Sequence, residues 1–467
     1  MKTLDMTNGN LKLQIMKFAI PMFLASLIQN LYNITDKIWV GRFLGKIQLT
    51  AVGTVGPIVF LILSLSIGMA VSIAVLISQD VGSGSDTDNT SNADGIILKT
   101  IDTSLLISVL ISILMTISGY IWFEPVLRLM GTAEDVRGYA KIYMNIVLLG
   151  TPFVFYTNAA AAILRGMGDP KTPTIIIGIS AFINMVLDPI IITGIGLFTP
   201  MGIFGTACIT VFSQIVGFIL SHIKIMRLRK KYSTSSNLKT INFCKENAGI
   251  ILKLGFPASV QQGLLSIANM LVLSIVNSYD NSDISSAFWA GHSFDSLAFL
   301  PAFAIGAAVS ASAGQNTGSK SIERIKQTTK IGILYVTITN LILLLTAYFF
   351  APYIAGLFLP NDLAAMEQTV IYLKIFCFYY IPFGLMNVLN SVIQGVGNTW
   401  LPMLTTVLSV YIIRLPLANY LAYQTDFGIK GVYIGMTISP IFGLVAILIY
   451  YLLGSWKKRV EKGKITA

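Results

Sequence analysis

The stretch Ala162-Ile-Leu-Arg-Gly-Met-Gly-Asp-Pro-Lys-Thr-Pro173 returns 229 positions later as Ser391-Val-Ile-Gln-Gly-Val-Gly-Asn-Thr-Trp-Leu-Pro402. Four further pairs keep the same order. Ile20-Pro21-Met22 matches Phe256-Pro257-Ala258, and Gly68-Met-Ala-Val-Ser72 matches Gly306-Ala-Ala-Val-Ser310. Gln79-Asp-Val-Gly-Ser83 matches Gln315-Asn-Thr-Gly-Ser319, and Gly202-Ile-Phe-Gly205 matches Gly428-Ile-Lys-Gly431. Each pair alone is weak, but five in sequence make the chain a tandem duplication.

Composition says what is duplicated. The chain has 467 residues, 54% hydrophobic and 11% charged, whereas a soluble domain carries about 25% charged residues. So few charges cannot cover a soluble surface of this size, so the expectation is a polytopic membrane protein. Apolar stretches fall at 12–40, 50–79, 96–120, 136–165, 172–196, 201–228, 247–278, 286–315, 328–350, 365–394, 401–423 and 428–455. Each is long enough for a helical span of roughly 20 residues. The lysine-led N-terminus lacks a convincing cleavage site and reads as an uncleaved first helix. The expected fold is all-α, with twelve transmembrane helices in two pseudo-symmetric six-helix bundles flanking a central cleft. The expected boundaries are 1–228 for the first bundle, 229–245 for a cytoplasmic linker and 246–467 for the second. Six helices per repeat return the chain to its starting side, so the halves share one orientation, and rocking of one on the other gives alternating access.

The net charge of +11 is a topological signal. With a cytoplasmic N-terminus, inside segments carry 22 Lys and Arg and outside segments seven, with Lys253, Lys374 and Arg414 inside spans. This bias sets both termini in the cytoplasm of a cell-membrane protein, and no nucleic-acid partner is implied. The three cysteines lie far apart and there are two histidines, so neither a disulfide framework, a zinc cluster nor an intramembrane enzyme site is indicated. No Walker A, HExxH, GxSxG or DFG motif is present, which leaves ion-coupled or passive transport and no enzyme activity.

A carboxylate inside a span costs about 2.5–3.5 kcal/mol and needs a reason. Asp36 in NLYNITDKIW and Asp188 in FINMVLDPII are the two considered. Lys17 to Asp36 spans roughly 28 Å of helix and Pro173 to Asp188 roughly 22 Å, which places both in the outer half of the bilayer. Asn184 lies one turn before Asp188 on the same face. Pro189 cannot donate to the Met185 carbonyl. Such an oxygen cluster suits Na⁺ or a shared proton. An interfacial place for Asp36, beside Lys37, is the alternative. Spans 7 and 10 offer no deep carboxylate, so the second half is expected to lack a counterpart. Pro21 and Pro257 read as kinks or hinges. A polar lining is expected from Gln29, Tyr32, Tyr143, Asn158, Gln261, Gln262, Asn387 and Arg414, the last pairing with a carbonyl, a protein partner or a substrate group.

The whole chain resembles the MATE (multidrug and toxic compound extrusion) transporters, most closely the DinF-like and related branches. The resemblance rests on twelve spans in two repeats, the early Ile-Pro, NITDKIWVGRFLG, AILRGMGDPKTP, FINMVLDPI and GIFGTACIT. It implies a cation or proton site at Asp36, Asn184, Asp188 and Thr206, with bending of the first helix at Pro21. It also implies efflux of organic cations and amphipathic drugs by a monomer surrounded by membrane lipid, in exchange for Na⁺ or H⁺, with no cofactor and no other metal. The NorM-like branch uses acidic residues in helices 7 and 10, which this chain lacks. A lipid-linked oligosaccharide or lipid flippase of the same superfamily is the alternative.

Overall fold

The computed structural model describes residues 3–84, 90–194, 199–233, 242–360 and 362–463. Positions 234–241 of the expected linker lie outside the described residues. Among the described residues, regular structure is helical throughout, and twelve helices are long and apolar enough to cross a membrane. They are α1 (Leu11–Leu44), α2 (Lys46–Gly84), α3 (Thr90–Leu129), α4 (Glu134–Gly166), α5 (Lys171–Thr193) and α6 (Gly202–Tyr232). The second six are α7 (Lys245–Asn277), α8 (Ser282–Gly318), α9 (Ile322–Phe349), α10 (Leu363–Gly395), α11 (Trp400–Tyr423) and α12 (Ile429–Leu453). The chain is therefore a multi-pass membrane protein.

Three spans of the second half depart from uninterrupted helix, each beside a proline. Phe299 interrupts α8 two residues before Pro301, a 3₁₀ turn at Cys377–Tyr379 precedes Pro382 in α10, and a π-helical turn at Leu408–Arg414 precedes Pro416 in α11. The cause is local, since proline supplies no N–H and crowds the preceding turn.

Two compact units emerge. One is Leu24–Ser259 with Met1–Leu4, and the other is Asp5–Phe23 with Val260–Ile465. The division falls two residues past Pro21 in α1 and two past Pro257 in α7. Inside the first unit α2 packs on α4, α4 on α6 and α5 on α6, and inside the second α8 packs on α10, α10 on α12 and α11 on α12. The same internal order in each is the structural form of the sequence duplication.

The paired glycines of the duplicated stretch show why it repeats. A methyl on Gly166 would come within 2.8 Å of the Ala74 carbonyl oxygen, and one on Gly395 within 2.5 Å of the Ser310 carbonyl oxygen. Only glycine lets these helices approach so closely. Gly168 and Gly397 follow with φ of 80° and 88°, left-handed values that end α4 and α10 without a Cβ penalty.

Beyond α6 the first unit is closed by charge. Arg229 Nε lies 2.7 Å from Asp102 Oδ1, and its guanidinium also donates to Asp102 Oδ2 at 3.0 Å. The Asn242 amide donates to Asp102 at 2.9 Å, and the Cys244 amide to the Thr103 hydroxyl at 2.9 Å. Arg229 is buried, so besides any part in setting orientation it ties the end of α6 to α3, while the Asn242 and Cys244 amides tie the start of the second repeat to the same helix.

Candidate functional site

Within the first unit, α5 and α6 meet closely because Gly205 leaves no room for a side chain. A Cβ there would lie 2.6 Å from the Ile191 side chain. The Met201 amide donates to the Ile191 carbonyl at 3.2 Å, closing the approach. Asp188 lies one turn before Ile192 on α5, and Thr206 follows Gly205 on α6. Asn184 and Asp188 share one α5 face, and Thr206 and Thr210 share one α6 face, each pair four residues apart.

Asp188 and Thr206 are fully buried, Asn184 is 1% exposed and Asp36 9%. The Asp36 and Asp188 carboxyls lie within electrostatic reach of each other. Tyr32 and Tyr143 lie within electrostatic reach of both acids, and both approach the Thr210 hydroxyl. Yet the cluster does not satisfy itself. Asp36 Oδ1, both oxygens of Asp188, both polar atoms of Asn184 and the hydroxyls of Thr206 and Thr210 are buried without a hydrogen-bond partner among the described residues.

Buried polar atoms are nearly always paired, and leaving one unmade costs about 1–3 kcal/mol, more for charged groups. Here the unpaired atoms sit on α1, α5 and α6 of one unit and include three carboxyl oxygens. The donor set is hard oxygen throughout, apart from the Asn184 amide nitrogen. No group of three or more His, Cys, Asp or Glu that could hold a metal ion occurs among the described residues. The residues thus fit a monovalent cation, or one proton shared between two acids that cannot both ionise cheaply at close range.

The remaining sequence-expected residues have separate places. Gln29 is exposed on α1. Asn158 of α4 donates to Ser66 of α2 at 3.0 Å, and its repeat counterpart, Asn387 of α10, donates to the Ala302 carbonyl of α8 at 2.8 Å. Gln261 donates to Thr406 at 2.8 Å and to the Pro402 carbonyl at 3.1 Å, tying α7 to α11, with Gln262 half-buried beside it. Arg414, in the π-helical turn, donates to the Tyr379 hydroxyl at 3.0 Å and to the Ser439 hydroxyl at 3.1 Å. Pro21 and Pro257 both lie inside continuous helices.

The second half does hold a buried acid, in α8, which the sequence expectation for spans 7 and 10 did not name. Asp295 of α8 is fully buried and accepts hydrogen bonds from the hydroxyls of Tyr372 and Tyr380 on α10, each at 2.5 Å. Its sequence signal is an aspartate within the apolar run 286–315, with tyrosines eight apart in a neighbouring span. Unlike Asp36 and Asp188, it is satisfied within an aromatic core that includes Phe288, Phe376 and Tyr433. Tyr372→Phe is expected to lower stability by about 1–3 kcal/mol, read as a lower thermal midpoint in detergent. An unchanged midpoint would refute this pairing. Thr210 was also missed, although it lies one turn beyond Thr206.

Comparison with known proteins shows the family. The family model described as MatE matches residues 21–190 and 257–420, once in each repeat. The chain is 30% identical over 451 residues to "Probable multidrug resistance protein YoeA" of Bacillus subtilis (strain 168), covering 95% of this chain and 93% of that one. It is 30% identical over 459 residues to "Probable multidrug resistance protein YpnP" of the same organism, covering 98% of each. The solved structure titled "Crystal structure of MATE in the bent conformation" superposes with a TM-score of 0.87 over 99% of both chains at 24% identity, a likeness of fold.

Proposed function

We propose, from the premise that this chain belongs to the MatE family of transporters, that it is a secondary active multidrug efflux transporter. Its substrates are organic cations and amphipathic drugs, expelled across the cell membrane in exchange for Na⁺ or H⁺. Both termini are cytoplasmic in this reading, and the protein works as a monomer. The observation that carries it is the set of unpartnered buried oxygens around Asp36 and Asp188. Two relatives named as multidrug resistance proteins support the substrate class.

The residues divide the work as follows. Asp36 and Asp188 hold one positive charge between them, and the Asn184 amide oxygen and Thr206 hydroxyl complete its oxygen shell. Tyr32 and Tyr143 border the acids and help keep water out. Asp36 rides on α1, so the charge state of the pair bears on that helix. Pro21 lacks the N–H that would stiffen its turn, and with Pro257 it lies two residues from the division between the compact units. These are the points at which α1 and α7 bend as access alternates.

The test is transport in proteoliposomes with Na⁺ and pH gradients imposed separately across a small drug panel. Ethidium or norfloxacin moving against its gradient under either ion is the expected result. No movement under either gradient, with flipping of a lipid-linked oligosaccharide in the same vesicles, would replace this reading with the flippase.

A further inference from the structure

The segment before α1 is built as a fixed support in the second unit. The Met6 amide donates to Gln315 Oε1 at 2.8 Å, and the Met6 carbonyl accepts from Asn316 at 3.1 Å and Arg324 at 3.0 Å. Arg324 also reaches the Gly9 carbonyl at 3.4 Å. Gly9 turns the chain with φ of 81°, and Asn10 caps α1 by accepting from the Lys12 amide at 3.1 Å. Between this support and α9 lies a groove of 480 Å³, whose polar wall is Asn10, Lys12, Gln327 and Lys330.

The charge in this groove is one-sided. Neither Lys12 nor Lys330 has an ion-pair partner among the described residues; Glu323, within electrostatic reach of Lys330, is itself bound to Lys326 at 2.5 Å. Asp5 also lies on the support. Burial would raise its pKa, but hydrogen bonds from Thr7 and Asn8 and the nearby Arg324 charge hold it below the usual carboxylate range. Asp5 is thus engaged with its own turn and does not neutralise the lysines.

One turn further along each helix the surface becomes apolar. Leu13 and Met16 of α1 and Leu334 and Ile338 of α9 are each 44–52% exposed. Tyr335 joins the two helices by donating to the Lys12 carbonyl at 3.3 Å. Two unpaired ammonium groups above two exposed apolar helix faces match an anionic amphiphile in both charge and polarity. A soluble anion would have no use for the faces, and a zwitterionic lipid would bring a second, opposing charge.

We propose that this groove binds an anionic phospholipid, its phosphate between Lys12 and Lys330 and its acyl chains along the Leu13 and Leu334 faces. The site is separate from the Asp36–Asp188 cluster, and its binding readout is independent of the transport reading. Native mass spectrometry of the full-length protein, titrated in detergent with phosphatidylglycerol or phosphatidylcholine, tests it. Wild type is expected to retain phosphatidylglycerol preferentially. Lys12→Gln with Lys330→Gln lowers that retention roughly thirtyfold, from about 1 kcal/mol per surface lysine. Lys12→Arg with Lys330→Arg retains it, as does a control pair at exposed lysines elsewhere, Lys171→Gln with Lys458→Gln. Equal retention of both lipids, an unchanged Lys12→Gln/Lys330→Gln variant, or full displacement by an equimolar amount of glycerol phosphate overturns the proposal.

Discussion

Asp188→Asn is expected to fold and insert as well as wild type yet to lose ion-driven drug accumulation, and Asp36→Asn the same. The amide keeps the shape of the side chain but cannot hold the charge. Two facing carboxyls in a low-dielectric interior repel when both are ionised, so neutralising one removes a cost. The thermal midpoint of either variant is therefore expected to stay level or rise. The function responds in the opposite direction. One charge crossing 100 mV contributes about 2.3 kcal/mol, equivalent to roughly a fiftyfold concentration ratio. A carrier that no longer binds the charge forfeits that ratio, measured as ethidium accumulation in proteoliposomes at fixed potential. Undiminished accumulation in both variants would remove Asp36 and Asp188 from the coupling site. Divergent results, one variant dead and one intact, would assign the charge to a single acid. A fall in midpoint alongside the lost transport would point to a structural role instead.

Asp102→Ala carries the largest expected loss of stability, about 3–5 kcal/mol. The acid is buried, pairs with the buried Arg229 through both oxygens and also accepts from the Asn242 amide. Removing it leaves a guanidinium in an apolar environment and an unpaired backbone amide. Replacing both partners behaves differently, since an apolar pair of similar volume carries no stranded charge. Asp102→Leu with Arg229→Met is expected to recover most of the midpoint lost by the single variant. Additive losses in the double variant would show that the two residues act independently and that the ion pair does not close this end of the unit.

The twelve spans were legible because each must present a continuous apolar surface to lipid, a requirement that tertiary contacts do not change. The duplication was legible for a related reason. Gly166 and Gly395 mark helix crossings where a Cβ would strike a neighbouring backbone, so the residue type is dictated at both copies. That Asn184 and Asp188 share one helix face followed from spacing alone. What spacing could not reveal was which polar residues remain unsatisfied. Asn158, Asn387, Gln261 and Arg414 looked equivalent to Asn184 in the sequence, but each spends its donors on a neighbouring helix.

Sequence by itself determined the membrane class, the helix count, the repeat and two acids in the first half, since each depends on composition or period along one strand of chain. Only the tertiary structure decided that oxygens of Asp36 and Asp188 are buried without partners while Asp295 is paired with tyrosines. It also decided that Arg229 has a buried partner while Lys12 and Lys330 face an open groove. The physical reason is that the free energy of a polar group in an apolar bundle depends on its partners across helices. Those partners lie tens to hundreds of residues away, where no local pattern reports them.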